Sequence, residues 1–392
     1  MILNKSKDDW THVMGINTAQ EISQQPETWA KTVGIIKHQY QEIQAFIESI
    51  TKQDHYKIIF SGAGTSEFVG NALVPLFQKA GNDHFVSIAS TDLVATPEYY
   101  IRENQPTLVV SFGRSGNSPE SIGAIDVANA INKNTKHLII TCNKDGALAL
   151  RKGEHYASII LPDETNDLSF AMTSSFTNML LAAYLCFNLD KGIINQFDIA
   201  SLQDAAHHIL NDFFPIAQRV VDTFDFKRIV YLGDGSLNGI AQESALKILE
   251  LTAGEVVSMF NSPLGFRHGP KSILNQETLT VIYLSDDPYT RQYQIDIIKE
   301  ISSQRDGNQL IAIDCKQDRD IEVLVDEYFA IHVEATTKDL IGLCYIIVAQ
   351  MIGLLRSVSL GKSPDNPWPS GMVNRVVQGV TLYPFDTERG KV

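Results

Sequence analysis

The chain of 392 residues is poor in cysteine and short of positive charge, and each shortage narrows what it can be. Its four cysteines, Cys142, Cys186, Cys315 and Cys344, lie far apart with no C-x-x-C spacing. That argues against a disulfide framework or a zinc ribbon and predicts buried, reduced thiols in a cytoplasmic protein. Lys and Arg number 32 against 46 Asp and Glu, a formal charge of −14 with a pI near 5.1. Neither nucleic acid nor an anionic membrane is expected as a partner of such a surface. The opening MILNKSKDDW lacks the apolar core of a signal peptide. The most hydrophobic run, Leu340–Leu355, contains Gln350 and falls short of the roughly 20 residues that span a bilayer, so it predicts a buried core helix.

What is present centres on Lys57–Leu73, KIIFSGAGTSEFVGNAL. It reads as a buried strand over Ile58–Ser61, a turn on Gly62 and Gly64, and a helix opened by Thr65 and Ser66. Glycines permit the tight or left-handed backbone of such a corner, and the helix start supplies unpaired N–H groups and a positive dipole end. A dinucleotide fingerprint would need a third glycine where Glu67 stands, and a P-loop would need Gly-Lys-Ser/Thr, which is absent. The corner suits a small phosphate ester better than a nucleotide. The same pattern returns at Arg228–Leu246, RIVYLGDGSLNGIAQESAL, where Gly233 and Gly235 repeat Gly62 and Gly64 at an offset of 171 residues. That is the size of a domain, and the chain reads as a tandem duplication.

Short apolar runs alternate with helical segments in both halves. The first half has Ile58–Ser61, Phe85–Ala89, Leu108–Phe112, Leu138–Thr141 and Ser158–Leu161; the second has Arg228–Gly233, Leu279–Leu284, Leu310–Ile313 and Tyr328–His332. Continuous apolar strands separated by helices predict an α/β fold of two doubly wound parallel sheets. Residues 1–50 form a helical lead-in interrupted at Pro26, with Ile35, Ile36, Tyr40, Ile43, Phe46 and Ile47 on one face. Residues 51–210 and 211–360 are the two α/β domains, and 361–392, rich in Pro and Gly, is an irregular tail laid over the surface.

Three stretches carry groups suited to chemistry. Ser111–Ser121, SFGRSGNSPES, follows the third strand and clusters Arg114, Ser115, Asn117, Ser118 and Ser121. Ligands of parallel sheets bind outside the carboxyl ends of the strands, so this loop and Gly64–Ser66 can share one crevice. Thr165–Thr177, TNDLSFAMTSSFT, adds Thr173 and Ser174 before a helix. In the second half, Gln242–Ala253 is helical and sets Glu243, Lys247 and Glu250 on one face, where spacing alone favours a solvent-facing ladder of ion pairs. The Gly/Pro loop Pro263–Lys271, PLGFRHGPK, holds His268 between Arg267 and Lys271. His207 and His208 are neighbours on a helix, point in different directions, and suggest no metal site.

Over nearly its whole length the chain resembles the tandem sugar isomerase (SIS) domain family, through SGAGTSEF, SFGRSGNSPES, ALKILELTAGEV, SPLGFRHGPKS, DDPYTRQY and NPWPSGMVNRVVQGV. Within it, the likeness is to the branch of AgaS-type galactosamine-6-phosphate deaminases, also called tagatose-6-phosphate ketose/aldose isomerases. The resemblance implies a flavodoxin-like pair of sheets and assigns Ser66 to the first substrate loop. Ser115, Asn117 and Ser118 fall to the phosphate loop, with Arg114 where glucosamine-6-phosphate synthase has glutamine. It implies Glu250 as the proton carrier between C1 and C2, Lys247 beside it, and His268 in ring opening, reaching the sugar from the neighbouring subunit of a homodimer. The synthase's late lysine falls at Gln378. No metal or organic cofactor is implied. The synthase's ammonia-supplying glutaminase domain has no counterpart in these residues, so ammonia release is expected. Plain ketose/aldose isomerisation and a non-catalytic sugar-phosphate sensor are the alternatives; many such sensors carry a DNA-binding helix-turn-helix, for which the acidic lead-in offers no candidate.

Overall fold

The apolar runs become two five-stranded sheets, all strands parallel, in a computed structural model that describes residues 1–188, 194–377 and 379–386. The first sheet comprises β1 (Lys57–Ser61), β2 (Phe85–Ser87), β3 (Thr107–Gly113), β4 (Lys136–Thr141) and β5 (Tyr156–Ile160), in the order β2-β1-β3-β4-β5. The second comprises β6 (Arg228–Leu232), β7 (Val257–Asn261), β8 (Thr278–Tyr283), β9 (Gln309–Asp314) and β10 (Glu327–Ala330), in the order β10-β9-β8-β6-β7. Written from its own first strand, the second order repeats the first, so the duplication extends to topology. β3 and β8 are buried along their whole length, as strands covered by helices on both faces must be.

The chain divides into two units. One is built around the first sheet from the described residues of Thr28–Asn166, Ser174–Phe197 and Gly371–Val392; the other is built around the second sheet from Met1–Glu27, Asp167–Thr173 and Asp198–Ser370. In the first-sheet unit, Phe60, Phe77, Phe85 and Phe112 form an aromatic cluster in which Phe77 stacks on Phe85 with centroids 4.3 Å apart. In the second-sheet unit, Gly342–Ser359 lies against the Ser236–Leu251 helix. A Cβ at Gly342 would meet Ile240 Cγ1 at 2.8 Å, and one at Gly353 would meet Leu251 Cδ1 at 2.9 Å. Glycine at both positions lets the two helices approach closely. Among the described residues, Lys338–Ser359 is long and apolar enough to cross a membrane, but 89% of its apolar window is buried inside the protein. It is a core helix, as its sequence predicts, and Gln350 within it accepts a hydrogen bond from Gln25 Nε2 at 2.7 Å.

The helical lead-in breaks next to Pro26, as expected: the Ile16–Ser23 helix ends at Gln24 and a new helix, Gln25–Thr51, starts with Pro26 in its first turn, where a proline's missing N–H has no intrahelical partner to lose. The second sheet also has a fifth strand, β7, beyond the four that apolar runs predict. Among the described strands it pairs with β6 alone, and it is exposed or half-buried at every residue, so VSMFN carries no continuous apolar run to announce it.

The motif DDPYTRQY is architectural. Asp287 caps the Pro288–Ser303 helix, accepting from the Thr290 amide at 2.9 Å. Arg291 forks onto both oxygens of the buried Asp314 at the end of β9, at 2.8 and 2.6 Å, and also meets Asp318 at 3.0 Å. A buried carboxylate is tolerated when paired and bonded in this way. The segment after Gly361 is irregular, as expected. Its Asp365 accepts four hydrogen bonds from the amides and side chains of Asn17 and Thr18, capping the Ile16–Ser23 helix. Gln378 lies outside the described residues.

Candidate active site

The strand order β2-β1-β3 reverses direction at β1, and the crevice expected there opens beyond the carboxyl ends of β1 and β3. Ser61 and Ser111 are register partners at those ends. Gly62 turns the chain so tightly that a Cβ would sit 2.4 Å from the Ser66 carbonyl carbon. Gly64 has φ 56° and ψ −127°, a conformation that favours glycine, and the Thr65–Lys79 helix starts directly after it with no side chain capping its N-terminus. Gly235 before the Ser236–Leu251 helix matches it with φ 57° and ψ −125°. Thr65 and Ser66 are buried in the first turn, and the hydroxyls of Ser61 and Ser90 are buried with no hydrogen-bond partner. Buried polar atoms are nearly always satisfied, so these two hydroxyls mark a place where a polar guest can complete the bonding.

The Ser111–Ser121 stretch starts beside this corner, where Ser111 pairs with Ser61, and is braced by the Asn143–Leu148 turn. Asn143 Nδ2 donates to the Ser115 carbonyl at 2.8 Å, the Ala147 amide to Asn117 Oδ1 at 2.9 Å, and the Leu148 amide to the Gly116 carbonyl at 2.9 Å. Ser115 Oγ accepts from the Asn117 amide at 3.2 Å, and Ser118 shares its hydroxyl with Ser121 at 2.6 Å. Ser118 precedes Pro119 at the start of the Pro119–Ile131 helix without capping it. Hydroxyls and amides at a helix start suit a phosphate dianion without a cationic side chain. Arg114 is buried, and its Nη2 donates to the Arg375 carbonyl at 2.7 Å.

The residues expected to act as acid and base belong to the second-sheet unit. Lys247 is fully buried, with its Nζ 3.1 Å from Glu243 Oε1 and 2.7 Å from Glu250 Oε2. Burial works against its charge, but the two carboxylates outweigh it and raise its pKa. Glu243 is also fully buried, whereas the Glu250 side chain is 24% exposed. A solvent-facing ladder is therefore excluded: one carboxylate reaches the surface from a buried ion cluster. The Gly353 contact described above seats the helix turn that carries these groups. His268 is exposed, just past the short Pro263–Phe266 helix.

The last candidates straddle the unit boundary. Thr173 is in the second-sheet unit, its amide donating to Asp167 Oδ2 at 2.9 Å and its hydroxyl buried without a partner. Ser174 begins the Ser174–Asn188 helix of the first-sheet unit.

Two supporting groups carry only faint sequence signals. The Asn143–Leu148 brace is signalled by Asn-x-Asp-Gly after a strand, a turn pattern. Glu21 is buried and accepts from the Leu168 and Ser169 amides at 2.5 and 3.1 Å, tying down the segment that leads to Thr173. Burial and the neighbouring Asp167 charge push its carboxyl up to about 8. A charged residue on the apolar face of the Ile16–Ser23 helix is its one sign in the sequence. Among the described residues, no three His, Cys, Asp or Glu are grouped to hold a metal ion.

Two parallel sheets of identical strand order, each with a Gly-x-Gly corner after its first strand, define a tandem doubly wound α/β architecture. The SIS domain model matches residues 49–189 and 224–357, and the chain belongs to the SIS domain family. Its relatives narrow this further. It is 42% identical over 376 residues to the D-galactosamine-6-phosphate deaminase AgaS of Shewanella sp. (strain ANA-3), covering 94% of this chain and 92% of that one. An Escherichia coli structure described as tagatose-6-phosphate ketose/aldose isomerase superposes with a TM-score of 0.86 at 36% identity, over 95% of this chain and 97% of that one. A Clostridium novyi NT structure, described as a candidate for the same isomerase, superposes with a TM-score of 0.94 at 42% identity, over 98% and 99%.

Proposed function

We propose that this chain is an isomerising deaminase that converts galactosamine 6-phosphate and water to tagatose 6-phosphate and ammonium. The substrate class follows the name of the Shewanella relative at 42% identity. The observation that carries the chemistry is the Glu243–Lys247–Glu250 cluster, with Glu250 alone of the three reaching solvent. In this reading the Ser115–Ser118 loop and the Gly64–Ser66 corner hold the phosphate, and His268 opens the ring. Glu250 takes the C2 proton and returns it to C1, while the C2 nitrogen gives up a proton and O1 takes one up, which leaves a C2 ketimine and a C1 hydroxyl. Water adds to that carbon, the C–N bond breaks, and ammonium departs. Lys247 has no exposed surface, so its role is to hold Glu250 in place rather than to protonate the sugar. A single carboxylate serving both carbons suits a shift of one proton along one face.

The test is incubation with galactosamine 6-phosphate and, separately, glucosamine 6-phosphate, with ammonium and ketose measured together. Equal amounts of both products from the galacto substrate support the reading. Ketose formation without ammonium from a hexose 6-phosphate supports the plain isomerase reading, which the name of the Escherichia coli structure favours. Glu250→Gln keeps the shape but cannot accept a proton, and its turnover is expected to fall about 10²–10⁴-fold while substrate still binds. Near-normal turnover in that variant removes Glu250 from the mechanism.

A further inference from the structure

Three stretches that look unrelated in sequence are joined in the first-sheet unit by two arginines in series. Arg114 lies in the Ser111–Ser121 loop, is buried, and donates from Nη2 to the main-chain carbonyl of Arg375 at 2.7 Å. Arg375 in turn reaches from the tail to Asn166, with Nη2 3.3 Å from Oδ1 and 3.5 Å from the carbonyl oxygen. A phosphate loop, the turn at Asp163–Thr165 and the C-terminal tail are thus linked end to end. The tail is seated a second time further along. At Gly123, inside the Pro119–Ile131 helix, an added Cβ would meet Leu382 Cδ1 at 3.1 Å and Cδ2 at 3.2 Å. A glycine in mid-helix is costly unless something needs the space, and here the tail occupies it. Between these two anchors the described part of the tail has neither helix nor strand and is largely exposed, so its own backbone does little to hold it.

We infer that Arg114 is a positioning residue that straps the C-terminal tail to the phosphate loop, and that it is not a ligand of the phosphate. Its position within the loop suggests phosphate binding, but its Nη2 is turned onto a carbonyl of the tail, and the hydroxyls and amides of the loop can meet an anion without it. The strap has a functional consequence: the order of the tail is set by the same loop that the proposed function assigns to the phosphate. This inference rests on the reading that the Ser111–Ser121 loop holds phosphate, but its principal test does not.

That test is limited trypsin digestion of the full chain, following cleavage after Arg375, alongside calorimetric binding of inorganic phosphate. Cleavage of a segment that opens locally tracks the population of the open form. Arg114→Gln is expected to speed cleavage after Arg375 by about 10-fold or more, the shift for losing one charged donor. Its phosphate affinity should stay within about 2-fold of the parent, because the hydroxyls and amides that meet the anion remain. Ser118→Ala should do the reverse, weakening phosphate several-fold with cleavage unchanged. Arg114→Lys keeps the charge and should fall between Arg114→Gln and the parent in cleavage. Should Arg114→Gln not fold, Asn166→Ala loosens the far end of the strap and should also speed cleavage. Unchanged cleavage in the folded variants overturns the strap. Phosphate binding weakened by about 10-fold or more in Arg114→Gln, at unchanged cleavage, makes Arg114 a ligand instead. If Ser118→Ala leaves phosphate binding intact, the phosphate-loop reading fails, and the strap is judged on cleavage alone.

Discussion

Replacing Lys247 by Met removes the cation that contacts both Glu243 and Glu250 and keeps most of the side-chain volume. At an effective dielectric near 20, each contact, at 3.1 and 2.7 Å, carries roughly 5–6 kcal/mol of attraction before desolvation is charged against it. The net effect of deleting one member of a buried pair is smaller, about 3–5 kcal/mol, because the remaining charge is left in a medium that cannot solvate it. Glu243 is that charge, since it has no exposed surface, whereas Glu250 can turn toward water. For a unit of this size the loss should lower the melting temperature by about 6–20 °C. Differential scanning calorimetry on the full chain measures it. The decisive comparison is the double variant Glu243→Gln, Lys247→Met, in which the stranded carboxylate is neutralised. It should melt above Lys247→Met alone, with a coupling of about 1–3 kcal/mol. A Lys247→Met protein within about 1 kcal/mol of the parent would refute the argument that a charged, buried lysine holds Glu250 in place.

Glu21 gives a pH signature. Its folded carboxyl titrates near 8 against an ordinary 4.5, so between those values the folded state keeps a proton that the unfolded state has released. Stability should therefore fall as pH rises from about 5 to about 8, and Glu21→Gln, which mimics the protonated form, should flatten that slope in urea titrations. Gly64→Ala and Gly235→Ala meet nothing within 4 Å, so any loss is backbone strain. Each should cost roughly 1–3 kcal/mol in thermal unfolding, and a neutral effect at either would deny the strain. If His268 acts across a homodimer interface, mixing Glu250→Gln with His268→Ala chains should restore part of the activity. No recovery after demonstrated subunit exchange would place His268 and Glu250 in the same subunit's site or remove His268 from the chemistry.

Local constraints write much of the fold into the sequence. Central strands buried on both faces must be apolar throughout, and they read directly from runs such as Leu108–Phe112 and Leu279–Leu284. The duplication is visible because Gly64 and Gly235 both need a backbone that other residues resist, a demand that no distant packing can replace. β7 escapes because every residue of VSMFN is exposed or half-buried, so nothing enforces a continuous apolar run there. The Ser236–Leu251 helix divides the two kinds of information most clearly. The spacing of Glu243, Lys247 and Glu250 puts them on one face, but the same spacing serves a solvent-facing ladder and a buried ion cluster equally well. Tertiary packing decides between them by burying Glu243 and Lys247 and leaving part of Glu250 exposed. Arg114 is the other case. Its partner carbonyl lies 261 residues away, and a buried guanidinium is defined by what the folded chain brings to it, which no local pattern encodes.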